Sequence, residues 1–116
     1  MKDKEQRKLR RLHIVCYLRV FDRESGELVG HIADISTAGM MLVSDRPLEL
    51  DCDHKLVMEL PLEGNKRAKV LLTARSVWSR VDANPDFFNT GFKLKRPSAR
   101  AVQRIKGLID EFTRRA

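Results

Sequence analysis

A chain of 116 residues, 42% hydrophobic and 34% charged, can build one domain around one core. It has no run of about eighteen apolar residues, which excludes a transmembrane helix. The formal charge of +7 sits at the two ends. Residues 1–11 carry six Lys/Arg against two Asp/Glu, and residues 95–116 carry seven against two. The stretch between them carries ten against twelve. Basic ends around a nearly neutral body suit an anionic partner. A solvated tail and a solvated helix face are the plainer explanation, and the C-terminal charges fit it better. A charged N-terminus with no apolar segment after it points to the cytoplasm. Two distant cysteines, Cys16 and Cys52, fit reduced thiols there.

In chain order, residues 1–11 show no apolar periodicity and predict a flexible basic arm. Residues 12–116 form the single domain. Leu12 to Phe21 is apolar and β-branched, hence a strand. Asp22 to Gly26 is a turn signal, and Glu27 to Ile35 returns as the second strand. Met40 to Val43 is a short strand, and Ser44 to Asp53, with Pro47, is a loop. Lys55 to Leu60 alternates, with Leu56, Met58 and Leu60 on one face. After a Gly64-Asn65 turn, Ala68 to Val81 predicts a long strand with Val70, Leu72, Ala74 and Trp78 inward. Trp78 is assigned to the core for its large apolar area. Asp82 to Asn89 is a loop and Thr90 to Lys95 the last strand. Pro97-Ser98 opens a helix over about 98–115, with Ser98 as N-cap and Val102, Ile105, Ile109 and Phe112 in one stripe. Gly107 costs that helix roughly 1 kcal/mol against alanine. The sum is a mainly β fold, a six-stranded antiparallel β-barrel capped by a C-terminal α-helix.

One short stretch, Asp34-Ile35-Ser36-Thr37-Ala38-Gly39, joins two of these strands and ends in a glycine able to take positive φ. On a strand, Asp34 and Ser36 share a face. A carboxylate that accepts hydrogen bonds and a hydroxyl that can do either would then project together. A common turn, held by Asp and Ser side chains bonding to nearby backbone, accounts for the same residues.

Upstream, Arg7 and Arg11 stand four apart, just before the first strand. Arg-x-x-x-Arg followed some twenty residues later by Asp-x-Ser-x-x-Gly resembles the PilZ domain, the bacterial receptor module for cyclic di-GMP. The resemblance spans nearly the whole chain, since Trp78, then Thr90-Gly91-Phe92, then a closing helix resemble the later PilZ elements. It implies a cytoplasmic second-messenger receptor, not an enzyme, with no cofactor beyond its ligand. Arg7 and Arg11 would bind phosphate oxygens or the guanine edge, for which a planar guanidinium is suited. Asp34 would accept from guanine N–H groups, Ser36 would bond to a phosphate or base, and Gly39 would keep the turn open. Ligand binding would recruit the arm and be read by an unidentified downstream protein. Two departures are visible: Leu12-His13-Ile14 stands where many family arms carry a proline, and Gln6 occupies a variable position, so one ligand or a stacked pair both fit.

Other chemistries are less well supported. His13, Cys16, Cys52 and His54 could gather around zinc, but His13 and Cys16, three apart on a strand, face opposite ways. No metal is therefore assigned. His31 has no partner that the sequence identifies. No nucleophile and base pair stands out, and nothing draws His13 or His31 to Ser36. Two alternatives stand: a PilZ-fold interaction module without ligand, and a small barrel for single-stranded nucleic acid. Seven aromatics, not interleaved with basic residues, make nucleic acid a poor fit.

Overall fold

The structure, a computed structural model, describes residues 12–115, with side-chain surroundings for 18–62 and 64–111. Arg7 and Arg11 lie outside the described residues. Six strands are present: β1 (Leu12–Asp22), β2 (Leu28–Ile35), β3 (Gly39–Ser44), β4 (Asp53–Pro61), β5 (Arg67–Val81) and β6 (Phe88–Leu94). A helix, α1 (Ala99–Arg115), follows them. The strands close into a barrel in the order β1-β2-β3-β6-β5-β4, every pair antiparallel. Closure removes the free edges that an open sheet of this length would expose.

Alternation writes the core where the strands are regular. Leu56, Met58 and Leu60 of β4 face Leu72, Val70 and Ala68 of β5 across an unbroken register, and all six are buried. Burying each of the larger side chains is worth roughly 1.5–3 kcal/mol. Val20, Ile32, Ile35, Leu42 and Ala74 complete the centre without measurable exposure.

Helix α1 starts as expected. Ser98 Oγ accepts the Ala101 N–H at 3.0 Å, and Val102 N–H donates to the Ser98 carbonyl. This satisfies donors a helix start leaves over. The buried stripe is Ala101, Ile105, Leu108 and Ile109. It is offset from the expected one, since Val102 is only half-buried.

The register of β1 with β2 shifts between His13 and Leu18 and between Val20 and Phe21, but two β-bulges elsewhere set the faces of Asp34 and Trp78. Opposite β3, Ile32 pairs with Leu42 and Asp34 with Met41, so Ala33 is an extra residue in β2. Opposite β6, Ser76 pairs with Phe92 and Trp78 with Gly91, so Val77 is extra in β5. Each inserted residue inverts the faces that follow it. Ile32 and Ile35 both point inward although three apart. Asp34 falls on the outer side for the same reason. Trp78 also turns out and is 40% exposed. Its assignment to the core beside Ala74 is thus corrected: simple alternation from Val70 does not survive the extra residue.

Candidate functional site

The Asp34–Gly39 stretch is a tight connection between β2 and β3. Ser36 N–H donates to the Gly39 carbonyl at 2.8 Å. The Ser36 hydroxyl oxygen accepts from the Ala38 and Gly39 N–H groups at 3.2 and 3.3 Å. The side chain closes the turn, as hydroxyl residues do. β2 ends at Ile35, so Ser36 does not continue the strand face of Asp34; it is buried at 4% exposure. Gly39 does not take positive φ; Gly26 and Gly64 are the described glycines that do. Its role is close approach: a Cβ there would stand 2.5 Å from the Phe92 carbonyl oxygen. The expectation of positive φ is overturned because the Ser36 hydroxyl and the Ala38 carbonyl, which accepts from Leu94 N–H at 2.9 Å, hold the turn in another way.

The turn opens onto a cavity of about 320 Å³. Asp34, Ser36 and Gly39 line it together with Trp78, Arg80 and Lys93. The cross-strand register explains the meeting. His13, Asp34, Met41, Gly91 and Trp78 are successive partners across β1, β2, β3, β6 and β5. Both bulges are needed to bring Asp34 and Trp78 into this one outward row. The indole lies against Gly91, where an added Cβ would meet the ring at 2.2 Å. Glycine there leaves the space the ring fills. Arg80 stacks over the same indole, its guanidinium carbon 4.9 Å from the ring centroid, an arrangement worth about 0.5–1 kcal/mol at an exposed site.

The lining thus combines an aromatic plane, two cations and a carboxylate around a cleft. Such a set matches a planar, hydrogen-bonding, anionic ligand. Asp34, Ser36 and Gly39, named from the motif, are brought together. Trp78, Arg80, Gly91 and Lys93 are additions that sequence reasoning missed as wall residues. The readable signals were Trp78 and Arg80 two apart, and a glycine in Thr90-Gly91-Phe92 where a strand expects a side chain.

Cys52 and His54 do meet, with Sγ 3.4 Å from Nε2. The same imidazole nitrogen lies 3.0 Å from the Glu49 carbonyl and 3.2 Å from Ser76 Oγ. Because a carbonyl only accepts, Nε2 carries a proton in that contact. These contacts tie the loop before β4 to β5. Among the described residues, no group of three or more His, Cys, Asp and Glu could hold a metal. Among them, too, no helix is long and apolar enough to cross a membrane.

Residues 2–111 match the family model of the PilZ domain. The chain belongs to the PilZ domain family. Its fold is shared with several solved structures. The inhibitor of motility MotI/DgrA of Bacillus subtilis aligns with a TM-score of 0.71 at 14% identity, over 91% of this chain and 50% of that one. A complex of MrkH with c-di-GMP from K. pneumonia gives a TM-score of 0.68 at 18% identity, over 94% and 55%. The PilZ domain of YcgR from Escherichia coli, with c-di-GMP, gives 0.66 at 13% identity, over 95% and 93%. The chain therefore spans about half the length of the first two. No curated protein sequence matches the chain.

Proposed function

We propose that this chain is a cyclic di-GMP receptor whose ligand sits in the cavity between the Asp34–Gly39 turn and Trp78. The observation that carries the reading is the convergence of two independent lines on one place. The family motif residues Asp34, Ser36 and Gly39 line the same hollow as Trp78, Arg80 and Lys93. That MrkH and the YcgR domain are described in complexes with c-di-GMP supports the ligand class.

Each residue has a role in this reading. Asp34 accepts from guanine N–H groups, and the Arg80 guanidinium stacked over Trp78 offers the base a planar face. Arg80 and Lys93 offset phosphate charge. Ser36 holds the turn, and its hydroxyl proton, given to the Gly39 carbonyl over a long 3.5 Å, turns to a phosphate or base when the ligand is present. Gly39 keeps the Phe92 carbonyl within reach of the turn. Arg7 and Arg11 supply bidentate contacts to phosphate or the guanine edge. Leu12, to which the arm is joined, pairs with Ile35 beside the turn.

Residues 1–11 act as a binding element separate from the domain of residues 12–116. Ordering each arm residue costs on the order of 1–2 kcal/mol, so several charge-assisted bonds must offset it. The rearranged N-terminal surface is then read by a downstream protein. The chain works as a binding module, with no reaction of its own.

Calorimetric titration with cyclic di-GMP, with single-stranded RNA as competitor, tests the ligand. Saturable binding that RNA does not displace is expected; displacement by RNA would favour a nucleic-acid barrel. Backbone order parameters of residues 2–11 test the arm separately. They are expected to rise on adding ligand, and rigid, unchanged values would remove the ordering step while leaving binding intact.

A further inference from the structure

At the other end of β2 and β3 from this cavity lies a larger hollow of about 480 Å³. Leu28, Val29 and Val43 line it together with Phe87, and Asp45 and Asp82 add two carboxylates. Leu28 and Phe87 are 43% and 38% exposed, so apolar surface there is uncovered. Gly30 sits among the lining residues, and a Cβ on it would meet the Val43 carbonyl at 2.7 Å. The close backbone approach this permits keeps a large side chain from filling the hollow.

The wall that carries Phe87 is preorganised. Asp82 N–H donates to the Phe87 carbonyl at 2.9 Å, and Phe87 N–H to the Asn84 carbonyl at 3.0 Å. The Asp82 carboxylate accepts from Asn84 N–H at 3.1 Å and from Asn89 Nδ2 at 2.9 Å. These bonds, the Asn84 N–H first, hold its carboxyl below the usual value, so it stays ionised. A fixed aromatic beside a fixed charge needs little ordering on binding, and so resembles the anchors of strong interfaces.

Charge selects the occupant. The stretch between the basic ends carries ten Lys and Arg against twelve Asp and Glu, and among the described residues no Lys or Arg lines this hollow, while two Asp do. We propose that the groove docks a partner-protein segment that sets a lysine or arginine beside an apolar side chain. The apolar group packs on Leu28 and Phe87, and the cation faces Asp45 and Asp82. A second copy of this chain is a poorer occupant, because two molecules of net charge +7 repel at long range. One hairpin bounds both hollows: Arg80 of the first cavity is the register partner of Asn89, whose amide holds Asp82. The proposal does not depend on the nucleotide reading, and its test contains no nucleotide.

The test titrates the ¹⁵N-labelled chain with a short capped peptide alternating leucine and arginine, and with its leucine–glutamate counterpart. Shifts confined to residues 28–31, 43–45 and 82–87 are expected with the first peptide and none with the second. Asp45→Lys, an exposed change that spares the loop bonds, and Phe87→Ala should each weaken binding about tenfold, the scale of one good interface contact. Shifts centred on Asp34–Gly39, shifts spread over the surface, or an affinity unmoved by both substitutions would overturn the proposal. So would self-association that covers these residues at the concentrations used.

Discussion

Strand β5 takes part in two hairpins of unlike character. With β4 it pairs without interruption from Asp53–Arg75 to Pro61–Arg67. With β6 the register breaks at Val77. The regular half buries Val70, Leu72 and Ala74. The broken half turns Trp78 outward over Gly91 and brings Arg80 above it. Strand β2 repeats the lesson at Ala33, where an extra residue swings Asp34 to the outer face. In this barrel, the regular pairing of β4 with β5 supports the fold, and the bulges at Ala33 and Val77 assemble the site.

The contrast is open to direct attack. On the regular side, Leu72→Ala removes a side chain that is 2% exposed and should cost about 2–5 kcal/mol of stability. Denaturant unfolding would measure it, and the folded fraction should still bind ligand normally. On the irregular side, Gly39→Val pushes a branched side chain into the Phe92 carbonyl, 2.5 Å from an added Cβ. It should cost about 1–3 kcal/mol and weaken ligand binding as well. Unfolding and titration on the same sample test both; a Gly39→Val protein with unaltered affinity would detach the turn from the site.

Ser36→Ala removes an oxygen that accepts two N–H groups. Stability should fall by about 1 kcal/mol, the net worth of a typical hydrogen bond. A thermal melt without ligand shows this loss, and any further loss of affinity measures the contact to ligand itself.

The smallest effect concerns pH. The Asn84 N–H and the Asn89 amide lower the Asp82 pKa from 3.8. A depressed carboxyl contributes stability above its unfolded value, which is lost as pH falls through the folded value. Melting temperatures of the wild type and Asp82→Asn should therefore differ near neutral pH and converge in strong acid.

Much of this was legible from residue order. Leu56, Met58 and Leu60 alternate without interruption, so the β4 core face could be read directly. Ser98 before an apolar periodic run marked the helix start, and the bond to Ala101 N–H matches it. The cavity wall was legible only in part. Asp34, Ser36 and Gly39 announced themselves as a motif, but Trp78 was assigned to the core. A bulge changes a face by inserting one ordinary residue, and neither Ala33 nor Val77 carries a composition signal for it. Gly39 was read for its φ freedom when its missing side chain was the point. That distinction depends on the Phe92 carbonyl, which only the register of β3 with β6 brings near.

Trp78 is the chain's single tryptophan and lines the cavity, so its fluorescence reports directly on whether ligand sits there. Titration with cyclic di-GMP should change the Trp78 emission saturably, with the midpoint found by calorimetry. Arg11→Ala should shift that midpoint to weaker binding by about 1.5–3 kcal/mol, the range for a charged hydrogen bond. Calorimetric binding with unaltered Trp78 emission, or an Arg11→Ala midpoint equal to wild type, would contradict the assignment of the cavity and the arm as the cyclic di-GMP site.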